Sequence, residues 1–123
     1  KIIEMEIKKT GKLFSFCCVV PAIIKKKNNK EIKFFENIGA NIGLLFQIAD
    51  DLIDFRGSSK FAGKITGKDK KKGKATLISL LGYKNAIKYS NKIKSKIIND
   101  LDKYGLNSNS LNETLNYILT RNK

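Results

Sequence analysis

The chain has 123 residues, 41% hydrophobic and 9% aromatic, so it has room for one compact domain or part of one. Its formal net charge of +14 would usually indicate nucleic acid or an anionic membrane as a partner, but lysine supplies nearly all the excess and arginine occurs only at Arg56 and Arg121. Two cysteines and no histidine exclude a disulfide scaffold and the usual zinc sites.

The first predicted element is a largely helical segment over residues 2–24, with Pro21 as an internal breaker, followed by a polar turn over residues 25–30. Its apolar run, residues 14–24, is shorter than the roughly 18 residues that span a bilayer, so we expect no transmembrane segment. The first residues do not resemble a signal peptide. They resemble the middle of a helix and begin with lysine, so we expect the true amino terminus to lie upstream.

Cys17 and Cys18 lie next to each other within this segment. Neighbours on a helix point about 100° apart, so the two thiols form neither a disulfide nor a metal pair. We expect both cysteines to be small apolar residues that fill space, in a protein of a reducing compartment.

A long helix is predicted over residues 31–56, ended by the Gly57-Ser58-Ser59 sequence. Its apolar residues recur at helical spacing, which predicts a helix packed on most sides. These residues are Ile38, Ile42, Leu45, Ile48 or Ala49, Leu52 and Phe55.

Four polar residues of this helix, Gln47, Asp50, Asp51 and Asp54, share one side, which we call the carboxylate face. Uncompensated charges on a packed helix need a positive partner. Mg²⁺ prefers oxygen ligands and is commonly held by one or two carboxylates together with substrate phosphates. The alternative is that the aspartates pair with lysines of neighbouring helices; an EF-hand pattern is missing.

Residues 57–74 are rich in glycine and lysine and predict a long loop, of the kind that more often binds a ligand or closes a site than merely connects helices. The spacing from Gly67 to Gly73 is one residue too long for a phosphate-binding P-loop, and Ala75 replaces its Ser or Thr. What remains is a set of mobile positive charges near the acidic helix, including Lys64, Lys68 and Lys74.

The rest of the chain predicts a short helix over residues 75–81, an amphipathic helix over residues 83–104 and a last helix from Leu111. Gly105 is predicted to cap the second of these, and Ser110 with Glu113 has the spacing of a capping box for the third. No segment shows strand alternation, so the fold class is predicted to be all-α.

Four ordered segments resemble the carboxy-terminal half of trans-isoprenyl diphosphate synthases, the polyprenyl synthetase family. They are residues 9–11 (KTG), residues 43–54 (GLLFQIADDLID), residues 63–64 (GK) and residues 73–76 (GKAT). The resemblance runs from about Met5 to the end, and the ending YILTRNK is most similar to bacterial farnesyl diphosphate synthases. The sequence departs from many relatives after Thr76, where Leu77 and Ile78 replace an aromatic residue and a proline.

The resemblance implies a helical isoprenoid-synthase bundle, in which two facing aspartate-rich helices hold Mg²⁺ ions on an allylic diphosphate. Asp50, Asp51 and Asp54 would form the second of these clusters, with Asp50 the strongest candidate for direct ligation.

The same resemblance assigns substrate residues. Lys9, Lys64 and Lys74 match lysines that contact the allylic diphosphate, and Thr10 and Gln47 match positions beside the allylic cation. The implied reaction condenses isopentenyl diphosphate with an allylic diphosphate, giving geranyl or farnesyl diphosphate.

The family's first aspartate-rich motif and its isopentenyl diphosphate site are missing from the chain. We therefore expect the carboxy-terminal part of one synthase domain, inactive alone, from a cytoplasmic enzyme that is a homodimer when full length and has no nucleic-acid partner. Two alternatives stay open, a noncatalytic helical partner subunit of a prenyl synthase and a basic helical protein that binds nucleic acid.

Overall fold

The computed structural model describes residue 4, residues 7–62 and residues 76–121. The side chains at positions 7, 9 and 58–62 lie outside the described part. The described residues form an all-α fold. These residues contain no strand, which confirms the predicted fold class. In chain order the elements are a π-helical turn Ile7–Gly11, α1 Lys12–Ile24, α2 Asn29–Ala62, α3 Leu77–Leu81, α4 Tyr83–Leu101, a 3₁₀ segment Asp102–Ser108 and α5 Asn109–Thr120. None of the described helices combines the length and apolarity that crossing a membrane requires.

Helix α2 is the central element, and the π-helical turn and the other four helices all pack on it. The apolar residues predicted to be its packed side are buried: Ile38, Ile42, Leu45, Ile48, Ala49 and Leu52. Phe55 is the exception, since it is 44% exposed and stacks on Tyr83 with ring centroids 5.2 Å apart. Helices α4 and α5 complete the core with Ala86, Ile93, Ile97, Leu101, Leu115 and Ile118.

Two glycines let α1 and the π-helical turn approach α2 closely. A Cβ atom on Gly39 would lie 2.5 Å from the backbone oxygen of Phe14, and one on Gly43 would lie 2.6 Å from the Cα of Gly11. The buried Ser15 hydroxyl donates a hydrogen bond to the backbone oxygen of Glu36 at 3.0 Å across the same contact. The backbones meet here with no room for side chains, which fixes the position of the segment before α1.

Helix α2 begins with a reciprocal cap and ends later than predicted. Asn28 Oδ1 accepts from the backbone N–H of Glu31 at 2.9 Å, and its Nδ2 donates to the Glu31 carboxylate at 3.1 Å. The predicted stop at Gly57 is wrong, because the helix runs on to Ala62. One glycine lowers the stability of a helix by only about 1 kcal/mol. The helical turns that precede Gly57 are stable enough for α2 to continue through it. Residues 63–74 of the predicted loop, and Ala75 after it, lie outside the described residues.

The short helix α3 starts at Leu77, after Thr76, with a capping box that was not predicted from the sequence. Thr76 Oγ1 accepts from the backbone N–H of Ser79 at 3.2 Å, and Ser79 Oγ accepts from the backbone N–H of Thr76 at 3.0 Å. Gly82, with φ of +78°, makes the turn into α4. A positive φ is a conformation that glycine adopts without steric cost.

The predicted ends of α4 and α5 need correction. Helix α4 ends at Leu101, about one turn before the expected end, and Gly105 with φ of +54° makes a kink within the 3₁₀ segment. Helix α5 starts at Asn109, so the capping box of Ser110 and Glu113 does not form. The preceding residue, Ser108, already has helical backbone angles, so no extended cap position exists at this junction.

The two cysteines differ in environment, and the prediction that Cys17 is a small apolar filler is wrong, because Cys17 is exposed. Cys18, by contrast, is half-buried and packs against the core. Burial raises the pKa of the Cys18 thiol above its ordinary value, and the neighbouring Cys17 adds to that shift. A raised pKa leaves less of the reactive thiolate at a given pH.

We therefore expect iodoacetamide at pH 8 to alkylate Cys17 in a Cys18→Ser variant at least several-fold faster than Cys18 in a Cys17→Ser variant. Mass spectrometry over time gives both rates. In urea the two rates should converge. Equal rates in the folded variants would contradict the assigned burial of Cys18.

Candidate functional site

The carboxylate face lies in the middle of α2, and its residues share one side as predicted. Asp54 is exposed, Asp50 is 42% exposed, and Gln47 and Asp51 are partly buried. Gln47 Nε2 donates to Asp51 Oδ1 at 3.4 Å, one helical turn further on. The face therefore presents carboxylate oxygens at a partly open surface and is not buried within the bundle.

The π-helical turn brings Thr10 to the start of this face. Thr10 Oγ1 donates a hydrogen bond to Gln47 Oε1 at 3.2 Å, although the two residues are 37 positions apart. The amide of Gln47 thus links the Thr10 hydroxyl to the Asp51 carboxylate. A π-helical turn in place of regular helix is often found at functional sites. The structure unites Thr10, Gln47 and Asp51, which the family resemblance assigns to one site.

The close backbone contact at Gly43 explains how Thr10 reaches Gln47. Gly43 lies one turn before Gln47 on α2, and its Cα faces Gly11, the residue after Thr10. A side chain at position 43 would push the π-helical turn outward and lengthen the Thr10–Gln47 hydrogen bond. Gly43, the first residue of the matched segment 43–54, therefore has a local structural role in the site.

Among the described residues, Asp50 of the carboxylate face has a positive partner, Arg121, which was not singled out from the sequence. Arg121 follows the last residue of α5, and its Nη2 forms an ion pair with Asp50 Oδ1. Its guanidinium lies over the ring of Phe46, 4.2 Å from the centroid, and its side chain is only 14% exposed. Phe46 in turn packs against Phe14, with ring centroids 5.5 Å apart.

Sequence spacing could not reveal this pair, because Asp50 and Arg121 are 71 positions apart. One feature of the sequence did point to Arg121 as a partner for a carboxylate. Arginine is rare in this lysine-rich chain, and its planar fork suits partly buried carboxylate and aromatic contacts better than an ammonium does.

The predicted lysines lie largely outside the described residues. The backbone of Lys9 belongs to the π-helical turn, but its side chain lies outside the described residues, as do Lys64 and Lys74 entirely. The prediction that these lysines contact a diphosphate stays a prediction. Within the described ranges, no three acidic or sulfur-bearing residues converge into a closed metal cage.

The donor set can still hold a particular kind of cation. Asp50 and Asp54 lie one helical turn apart on the open side of α2 and offer hard oxygen ligands. A hard cation that keeps several waters, such as Mg²⁺, needs only one or two protein carboxylates when a substrate supplies the remaining oxygens. The carboxylate face suits a shared metal site and does not suit a self-contained one.

Comparison with known proteins identifies the family to which the chain belongs. A family model described as Polyprenyl synthetase matches residues 1–117. Farnesyl diphosphate synthase from Micrococcus luteus is 34% identical over 120 residues, which are 98% of this chain and 41% of that protein. Geranylgeranyl pyrophosphate synthase 4 from Arabidopsis thaliana is 38% identical over 90 residues, which are 73% of this chain and 24% of that protein.

A solved structure of geranyltransferase from Helicobacter pylori, complexed with magnesium and isoprenyl diphosphate, has a similar fold. It matches 96% of this chain and 39% of its own chain, with a TM-score of 0.66 and 30% sequence identity. The chain spans less than half the length of each of these relatives. On this evidence the chain belongs to the polyprenyl synthetase family, the trans-isoprenyl diphosphate synthases.

Proposed function

We propose that this chain is the carboxy-terminal part of a single synthase domain that condenses isopentenyl diphosphate with an allylic diphosphate in the presence of Mg²⁺. The family membership and the open carboxylate face of α2 support the proposal. The chain spans 41% of the Micrococcus luteus farnesyl diphosphate synthase, which supports the proposal that it holds only part of such an active site. By itself it should not turn over.

An exposed apolar surface on α1 supports the view that more protein packs here. Four large apolar side chains of this helix are 55–71% exposed: Leu13, Phe16, Ile23 and Ile24. An apolar area of this kind on one helix usually marks a surface that another part of the protein covers. We infer that the remainder of the synthase domain covers α1 and holds the opposing aspartate-rich motif.

The observation that carries the proposal is the oxygen-rich face formed by Asp50 and Asp54, with Asp51 held by Gln47. Asp50 would ligate Mg²⁺ directly, with Asp54 and Asp51 beside it. Mg²⁺ supplies a Lewis acid that stabilises the negative charge on diphosphate when the allylic carbon–oxygen bond breaks. The H. pylori protein was solved with magnesium and isoprenyl diphosphate, which supports a diphosphate as the ligand that would complete the coordination here.

Other residues of the chain would bind and orient the substrate. Thr10 Oγ1 and Gln47 Oε1, which hydrogen-bond to each other, are polar oxygens beside the carboxylate face and would stabilise the allylic cation through their dipoles. Lys9, Lys64 and Lys74 would hold the diphosphate by charge. The apolar neighbours Phe46 and Phe14 would help keep water away from the cation.

The proposal also includes a cytoplasmic location and a homodimer of the complete synthase. Both come from the family resemblance.

A chimera tests the proposal. In it this chain replaces the aligned region of the Micrococcus luteus farnesyl diphosphate synthase, and elongation of geranyl diphosphate with radiolabelled isopentenyl diphosphate is measured. We expect Mg²⁺-dependent activity in the chimera and none in the chain alone. Activity in the chain alone would contradict the claim that it is part of a site. A folded but inactive chimera would favour the noncatalytic partner subunit instead.

A further inference from the structure

The ion pair between Arg121 and Asp50 places a protein cation at the oxygen where the proposed metal would bind. Asp50 Oδ1 accepts from Arg121 Nη2, so one of its two carboxylate oxygens is already engaged. Asp50 is also the residue of the face that we propose as the direct ligand. A guanidinium and a divalent cation repel each other, and they compete for the same lone pairs.

Neighbouring residues hold Arg121 in place, but one of its buried hydrogen-bond donors lacks an acceptor among the described residues. Stacking on Phe46 at 4.2 Å and a backbone hydrogen bond from Arg121 N to the Tyr117 oxygen at 2.9 Å hold the residue in place. The buried Nε atom, however, has no acceptor within the part of the chain that the structure describes. A buried donor without a partner carries a free-energy penalty, and release of Arg121 into water would remove it.

We propose that Arg121 is a built-in counter-cation of Asp50, which occupies the carboxylate when no metal is bound and which a divalent cation must displace. The inference rests on the proposed metal-binding role of Asp50. Displacement would release the Arg121 side chain from Phe46 and Asp50, so metal loading and the position of Arg121 are coupled. Arg121 thus sets the affinity of the site for the metal without being a ligand.

Mn²⁺ binding tests the competition, with free Mn²⁺ measured by electron paramagnetic resonance during titration of the chain. Arg121→Gln is compared with Arg56→Gln, a matched control that removes the same charge from the other arginine. Arg56 donates to the hydroxyl of Tyr83 at 2.6 Å, a different partner from the Asp50 carboxylate. We expect Arg121→Gln to tighten Mn²⁺ binding by roughly tenfold, a usual size for coupling between two binding events, and Arg56→Gln to change it by less than about twofold.

Any result other than tighter Mn²⁺ binding in Arg121→Gln alone would overturn the inference. Equal effects of the two variants would show that only net charge matters, and weaker Mn²⁺ binding in Arg121→Gln would show that Arg121 holds Asp50 ready for the metal. Mn²⁺ binding to an Asp50→Asn variant distinguishes failure of the counter-cation role of Arg121 from failure of the proposed metal-binding role of Asp50. If this substitution leaves Mn²⁺ affinity unchanged, the metal role of Asp50 itself is wrong; if it weakens binding while Arg121→Gln does not tighten it, only the counter-cation role is wrong.

A second readout uses the unmodified chain, so it does not depend on any variant folding. The chain has two arginines and therefore two Nε–Hε signals in a nitrogen–proton correlation spectrum. Saturating Mg²⁺ should move the Arg121 signal toward the position of a solvated guanidinium and leave the Arg56 signal in place. An Arg121 signal that stays unchanged at saturation would contradict displacement.

Discussion

Asp50→Asn in the chimera should reduce elongation of geranyl diphosphate by about 10²–10³-fold, the usual effect of removing one electrostatic contact to developing charge. The amide has nearly the shape of the carboxylate, but it lacks the negative charge that a metal ligand on α2 would contribute. It also removes the ion pair with Arg121. The rate constant at saturating substrate is the quantity to measure, together with its dependence on Mg²⁺ concentration.

A matched control for Asp50→Asn is Asp102→Asn. Asp102 is an exposed aspartate at the start of the 3₁₀ segment, and its replacement removes the same charge from the chain. We expect the control to keep activity within about twofold, since surface charges away from a site contribute little. Equal losses in the two variants, or full activity in Asp50→Asn, would show that the carboxylate face is not the metal site.

Gly39→Ala should strongly destabilise the protein. The new Cβ would lie 2.5 Å from both the Phe14 oxygen and the Ser15 Cα, and backbone atoms cannot rotate away as a side chain can. Helices α1 and α2 would have to separate. Overpacking of this kind costs typically 1–3 kcal/mol, and we expect about 3 kcal/mol or more here. A fall in melting temperature of roughly 10 °C or more should follow, measured by circular dichroism.

The same substitution at Gly57 should act in the opposite direction. Gly57 also belongs to α2, but a Cβ there would meet nothing within 4 Å. Alanine reduces the conformational freedom of the unfolded chain, so Gly57→Ala should stabilise the protein by about 0.5–1 kcal/mol. If both variants lose stability alike, α1 and α2 do not cross at Gly39 as described.

The sequence was sufficient for features that depend on local periodicity. Ile38, Ile42, Leu45 and Leu52 repeat at helical spacing, so the buried side of α2 could be predicted from the sequence alone. The carboxylate face followed from the same spacing. The prediction for Phe55 was wrong because burial near a helix end depends on what packs there, and stacking on Tyr83 leaves much of the ring exposed.

Helix ends and long-range partners were harder to predict. Gly57 resembles a helix stop, yet α2 continues past it, because one glycine inside a helix costs only about 1 kcal/mol. Ser110 and Glu113 have capping-box spacing, but the 3₁₀ segment runs directly into α5 and leaves no cap position. Arg121 meets Asp50 only because α5 packs on α2, and no local pattern encodes that contact.

The most direct test of the account is whether the chain binds an allylic diphosphate through Mg²⁺ on the carboxylate face. Geranyl diphosphate is titrated into the chain at about 0.15 M salt, where free surface charges are largely screened, and backbone amide signals are followed by nuclear magnetic resonance. The account predicts shifts around Thr10, Gln47 and Asp50 that require Mg²⁺ and disappear in Asp50→Asn. Binding of equal strength in the presence of a chelator and in Asp50→Asn, spread over the lysines and lost with rising salt, would contradict it.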